Sequence, residues 1–121
     1  MTDVRHVRGR RGEEIAAEHF ERLGYEVLAR NHRTRYGEID LVACNGEHLV
    51  FVEVKTRREG SGEPWENLHE LKRSQVRRMA IAYLSERPDR RFAPDLRFDA
   101  VGIVLDGGGE LVRLDHLEAA F

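Results

Sequence analysis

Ile15, Ala16, Phe20 and Leu23, with His19 among them, recur three and four residues apart, the spacing of one buried helix face. Gly24 supplies a C-terminal stop, so the pattern predicts a helix over about 10–23. Residues 1–9 show no such period and are expected to form a flexible N-terminal arm before a single domain over 10–121. Tyr25 to Leu28 predicts a short strand running into the basic stretch Arg30–Arg35. Ile39 to Cys44 and Leu49 to Val54 are β-branched-rich runs separated by Asn45-Gly46, the strongest short-range hairpin signal. Residues 58–63 read as a loop, after which Pro64 suits a first helical turn. That second helix runs to about Glu86, with Leu68, Leu71, Val76, Met79, Ala80, Tyr83 and Leu84 inward, and Pro88 stops it. Arg97 to Leu105 is a strand, Asp106-Gly107-Gly108-Gly109 a turn, and Glu110 to Leu114 a last strand. The expected order is α-β-β-β-α-β-β, a mixed α/β single domain.

Composition narrows the setting. At 121 residues, 40% hydrophobic and 35% charged, the chain suits one small soluble domain with an ionised surface. No apolar run approaches the roughly 18 residues of a membrane span, and no apolar segment marks a secretory signal. A cytoplasmic protein without membrane contact is expected. A single cysteine, Cys44, excludes an internal disulfide framework and a cysteine-based zinc site. The net charge of −2 argues against a simple non-specific nucleic-acid binder, but it averages over blocks. Residues 1–37 carry +2, 38–69 carry −4, 70–91 carry +4 and 92–121 carry −4. Such alternation suits an acidic pocket with basic flanks, as a metal-dependent enzyme acting on a polyanion needs.

The hairpin concentrates the chemistry. With a two-residue Asn45-Gly46 loop, Cys44 pairs with Glu47, Val42 with Leu49, Asp40 with Phe51 and Glu38 with Glu53. Glu38, Asp40, Glu53 and Lys55 then share one sheet face. A loop two residues wider is expected to keep these pairs, and a one-residue slip to break the set. Three carboxylates this close repel one another, a conflict that a hard divalent cation removes. Lys55 beside them could orient a water or stabilise charge on a phosphate. Glu13 lies about 85° from the centre of the first helix's apolar stripe and can reach the sheet edge, whereas Glu14 faces water. Lys72 falls on the second helix's apolar stripe, and the chain has only two lysines against eighteen arginines.

Glu13, then Asp40 in Gly37-Glu38-Ile39-Asp40, then Glu53-Val54-Lys55, resembles the PD-(D/E)XK nuclease signature, with spacings similar to those of archaeal Holliday-junction resolvases. Ile39 stands where the wider signature often has proline. More closely, Gly12-Glu13, Gly24-Tyr25, Asn31, residues 37–41, residues 51–57, Lys72, Arg97-Phe98-Asp99 and Ala120-Phe121 resemble the YraN-like uncharacterised protein family, UPF0102. The resemblance implies a restriction-endonuclease-like fold with a mixed central sheet. It implies that Asp40 and Glu53, with the Val54 carbonyl, would ligate Mg²⁺ or Mn²⁺, and that Glu13 would bind the metal directly or through water. Glu38 would be accessory. Lys55 would orient the attacking water toward a phosphodiester, and Lys72, Gln75, Arg57, Arg30, Arg33 and Arg35 would hold phosphates. The expected activity is Mg²⁺-dependent endonucleolytic hydrolysis of structured or branched DNA. The alternative is a catalytically silent nucleic-acid-binding or adaptor module, and a resolvase-like domain of this size needs a homodimer to cut two strands symmetrically.

Other candidates carry less. Cys44 has no histidine at ligand spacing, the histidines form no zinc motif, and Gly107–Gly109 is a hairpin turn and no phosphate cradle. Trp65 is expected as a capping core contact, and Arg97–Asp99 as a buried structural pair.

Overall fold

A computed structural model describes residues 4–65, 73–86 and 95–121. The elements are α1 (Val4–Arg22), β1 (Glu26–Thr34), β2 (Gly37–Cys44), β3 (His48–Arg58), α2 (Arg73–Glu86), β4 (Asp95–Leu105) and β5 (Leu111–Leu117), in the expected order. The strands form one five-stranded sheet in sequence order. β3 and β4 are parallel and all other neighbours antiparallel, so the sheet is mixed.

Alternating side chains of the central strands feed two cores. Leu41, Ala43, Val50, Val52 and Val54 pack under Ile15, Ala16, Ala17 and Phe20 of α1. Val42, Cys44, Leu49 and Phe51 pack against Val76, Met79, Ala80 and Tyr83 of α2. The two-residue period of the strands thus serves helices on opposite faces, which is why these runs look continuously apolar. Gly24, at φ 93°, ends α1 where expected: its amide donates to Glu21 O (3.0 Å) and the Tyr25 amide to Phe20 O (3.0 Å). Trp65 covers Gly102, where a Cβ would lie 2.8 Å from its ring.

Three expectations change. The helix starts at Val4, so residues 4–9 are not a loose arm; arginine is a good helix former, and extending an existing helix adds one hydrogen bond per residue fixed. β1 runs through the basic stretch to Thr34, because an edge strand buries little and needs no apolar alternation. Of the expected second helix, α2 covers Arg73–Glu86 and residues 64–65 are in 3₁₀ conformation, while Leu68, Leu71, Lys72 and Pro88 lie outside the described residues.

The third change concerns register. Cys44 pairs with Leu49, Val42 with Phe51 and Leu41 with Val52. The turn centres on Gly46-Glu47, one residue later than expected. Asn45 sits at its start, where Oδ1 accepts from the Glu47 and His48 amides (2.8 and 2.7 Å) and its own amide donates to His48 O (3.0 Å). The side chain replaces a turn carbonyl instead of occupying a left-handed position. Moving the register by two keeps the parity but not the pairs, since Phe51 faces Val42 and not Asp40.

Among the described residues no helix is long and apolar enough to cross a membrane.

Candidate metal centre

The ladder between β2 and β3 ends at Leu41–Val52. Beyond it the Val54 amide donates to Asp40 Oδ2 (2.8 Å), so a side chain takes the place of a ladder carbonyl. Alternation fails here as well: Ile39 joins the α2-side core with Val42 and Cys44, although its parity matches Leu41 on the α1 side. The sheet opens at this point, and polar side chains gather in the opening from both layers.

From the α1 side comes Glu13. Its neighbour Gly12 brings the helix against β3, where a Cβ would overlap Thr56 Oγ1. Carboxylate oxygens of Glu13, Glu38 and Asp40 all lie within 4.8 Å of one another. From the α2 side comes Glu53, beside Ile39, Val76 and Met79. Asp40 lies close enough to both for the charges of Glu53 and Glu13 to act on it. Lys55 Nζ is 3.3 Å from Glu53 Oε1, with side chains 30% and 18% exposed.

Burial dominates the electrostatics. It pushes Asp40 up to about 8, aided by the charge of Glu53 and opposed by the Val54 amide. Burial also raises Glu53, against the pull of Lys55, and raises Glu13, with Glu38 adding repulsion. Carboxyls held together out of water either keep protons or need a cation. The all-oxygen donor set fits Mg²⁺ or Mn²⁺. The tight trio includes Glu38, expected only as an accessory, whereas Glu53 lies outside it, beside Lys55 and near enough to Asp40 for its charge to act there.

Asn31 completes the opening. Its neighbours Arg30 and His32 pair with Leu41 and Ile39, which sets it across from Asp40. With its amide nitrogen inward, as its partners require, it donates to Glu13 Oε1 (3.1 Å) and Oε2 (2.9 Å) and to Glu38 Oε1 (3.2 Å). Its φ of 51° is the left-handed conformation that asparagine tolerates best after glycine. In the sequence Asn31 stands out only through the family resemblance, because a polar residue in a strand announces neither its φ nor its partners.

The expected phosphate contacts are dispersed. Arg33 pairs with Glu38 (3.7 Å), Arg35 lies over the Tyr36 ring, and Arg30 is exposed on β1. Gln75 donates its amide to Tyr36 O (2.9 Å), tying α2 to the β1–β2 turn. Arg57 is half-buried near the end of β3.

Asp99, fully buried, accepts from Arg97 Nε and Nη2 (both 2.8 Å), as the expected structural pair. Sequence reasoning missed the rest of its shell. His116 Nε2 lies 2.8 Å from Asp99 Oδ2, His116 Nδ1 lies 2.9 Å from His19 Nε2, and the Ala119 amide donates to Asp99 Oδ1 (3.1 Å). Neither histidine's spacing signals a partner so remote in sequence.

Gly12→Ala should destabilise the protein by about 1–3 kcal/mol, because the added carbon forces α1 off β3. Chemical denaturation measures it; an unchanged midpoint would show that the helix shifts at no cost.

Residues 12–103 match the profile of the Uncharacterised protein family UPF0102. A UPF0102 protein of Pelotomaculum thermopropionicum is 42% identical over 122 residues, covering 100% of both chains. One from Moorella thermoacetica is 39% identical over 122 residues with the same coverage. One from Rhodococcus opacus is 42% identical over 114 residues, 93% of this chain and 94% of the relative. The chain belongs to the UPF0102 family.

Proposed function

We propose that this protein is a cytoplasmic, divalent-metal-dependent endonuclease of restriction-endonuclease-like fold that hydrolyses phosphodiester bonds in structured or branched DNA. The observation that carries the reading is the convergence of Glu13, Glu38 and Asp40, with Asp40 pushed up to about 8 and Lys55 next to Glu53. A fold keeps so costly a cluster where a cation is to be held.

In this reading Asp40, Glu13 and Glu38 hold Mg²⁺ or Mn²⁺, and Glu53 is joined to them through Asp40. The Val54 carbonyl is the expected backbone ligand, on the residue whose amide already fixes Asp40. The ion supplies charge neutralisation at the phosphate and lowers the pKa of water. Asn31 holds Glu13 and Glu38 in place through its amide. Lys55, positioned by Glu53, orients the attacking water and meets the charge that develops on the phosphate oxygens.

The test is cleavage of labelled single strand, duplex, flap, fork and four-way junction in Mg²⁺ and in Mn²⁺, with Asp40→Asn run in parallel. Cutting by the wild type and none by the variant is the expected result. Binding without cutting on every substrate favours an adaptor module and ends the nuclease reading.

A further inference from the structure

A second polar surface adjoins the carboxylates. Where α1 crosses the end of β3, a cleft of about 490 Å³ opens between Arg8 and Gly9 of the helix and Thr56, Arg57 and Ser61, with Glu13 and Val54 also on its walls. On the helix side it is open, since a Cβ on Gly9 would meet nothing within 4 Å.

Among the described residues no carboxylate forms an ion pair with its two arginines. Among the described residues Arg11, Arg22, Arg33, Arg97 and Arg113 each pair with a carboxylate, whereas Arg8 and Arg57 do not. The Nε of Arg57 is buried without an acceptor, a donor that an anionic oxygen would satisfy. Two guanidinium groups therefore line one cleft, and Glu13 is shared between that cleft and the acidic centre.

We infer that this cleft is a subsite for a backbone phosphate of the nucleic acid, the neighbour of the phosphate at the carboxylates, gripped by Arg8 and Arg57. The inference rests on the reading of the carboxylates as a nuclease centre. A guanidinium presents a planar fork of donors that matches two phosphate oxygens at once. Such a contact sets the register of the strand over Asp40 and Lys55 and reads no base. It also gives the early start of α1 a purpose, because Arg8 falls within the helical extension.

Fluorescence anisotropy of a labelled DNA flap, in EDTA from 50 to 200 mM salt, tests the subsite. Arg57→Gln and Arg8→Gln should each weaken binding about five- to tenfold and lower the salt slope by about one. Arg57→Lys should restore the slope while recovering only part of the affinity, since charge returns without the fork. Arg22→Gln, at the other end of α1 and paired with Glu18, should change neither. Thermal melts establish that each variant is folded; should Arg57→Gln fail to fold, Arg8→Gln and Arg57→Lys decide. The inference falls if Arg8→Gln and Arg57→Gln bind like wild type, if Arg22→Gln weakens binding equally, or if the wild type binds no flap. A wild type that binds with the full slope and never cuts in Mg²⁺ or Mn²⁺ leaves the subsite standing and removes the nuclease reading. One that cuts while both arginine variants bind unchanged does the reverse.

Discussion

Asp40→Asn should stabilise the metal-free protein at pH 8 by about 2 kcal/mol, a rise of roughly 6–10 °C in melting temperature. Asp40 lies well above the ordinary carboxyl value because burial, and then the charge of Glu53, penalise its ionised form. A group whose folded pKa is raised favours the fold while protonated. That contribution is fully present below its ordinary pKa near 3.8 and is lost as pH climbs through about 8. The wild type in EDTA should therefore weaken between pH 4 and pH 8 relative to the variant, and the two should melt alike near pH 4. Asparagine removes the charge and keeps an oxygen for the Val54 amide. Adding Mg²⁺ at pH 8 should raise the melting temperature of the wild type and leave that of Asp40→Asn unmoved. Melting curves against pH, with and without Mg²⁺, read both effects. A variant that melts below wild type at pH 8 in EDTA would show that the cluster does not strain the fold, and the case for a cation would lose its physical basis.

Arg97→Met should destabilise the protein by about 3–5 kcal/mol at pH 7, a large part of the 5–15 kcal/mol typical of a domain. Methionine fills much the same volume but leaves Asp99, fully buried, without its bidentate partner. Burial alone would raise Asp99; hydrogen bonds from His116, Arg97 and the Ala119 amide outweigh it and hold the carboxyl below the usual range. The sign is opposite to that of Asp40. Stability from Asp99 is present above its unfolded pKa and drains away as pH falls through the lower folded value. The wild type should lose this contribution only in acid, and Arg97→Met should lack most of it at neutral pH. Urea midpoints at pH 7 and pH 3 test the difference. Equal losses at both values would show that the methionine costs packing and not charge compensation. His116 and His19 extend the network to α1, so the variant should also loosen the helix that carries Glu13.

What the sequence determined by itself is local and repetitive. The helical stripe around Ile15 and Phe20, the stop at Gly24, the apolar runs of β2, β3 and β4 and the glycine turn after Asp106 follow from period, propensity and turn chemistry, which act over a few residues. Chain order and the mixed α/β class come from the same signals. Glu38, Asp40, Glu53 and Lys55 stand out as candidates in the sequence because strand alternation puts three like charges and a lysine on one face, and Glu13 because of its angle on the first helix.

Tertiary structure decided the rest, because it depends on partners far apart in the chain. The hairpin register turned on whether the Asn45 side chain would replace a turn carbonyl, a contest of small energies that Asn-Gly leaves open. The length of β1 followed from its place at the sheet edge, where pairing with β2 suffices without an apolar face. The opening between β2 and β3, with Asp40 taking the Val54 amide, turned a flat row of side chains into a centre reached from both layers. His19 and His116, 97 residues apart in sequence, and Asn31 with Glu13 meet only because α1 packs across the sheet. Periodicity tells each element which face to bury; which side chains then face each other depends on how those buried faces dock.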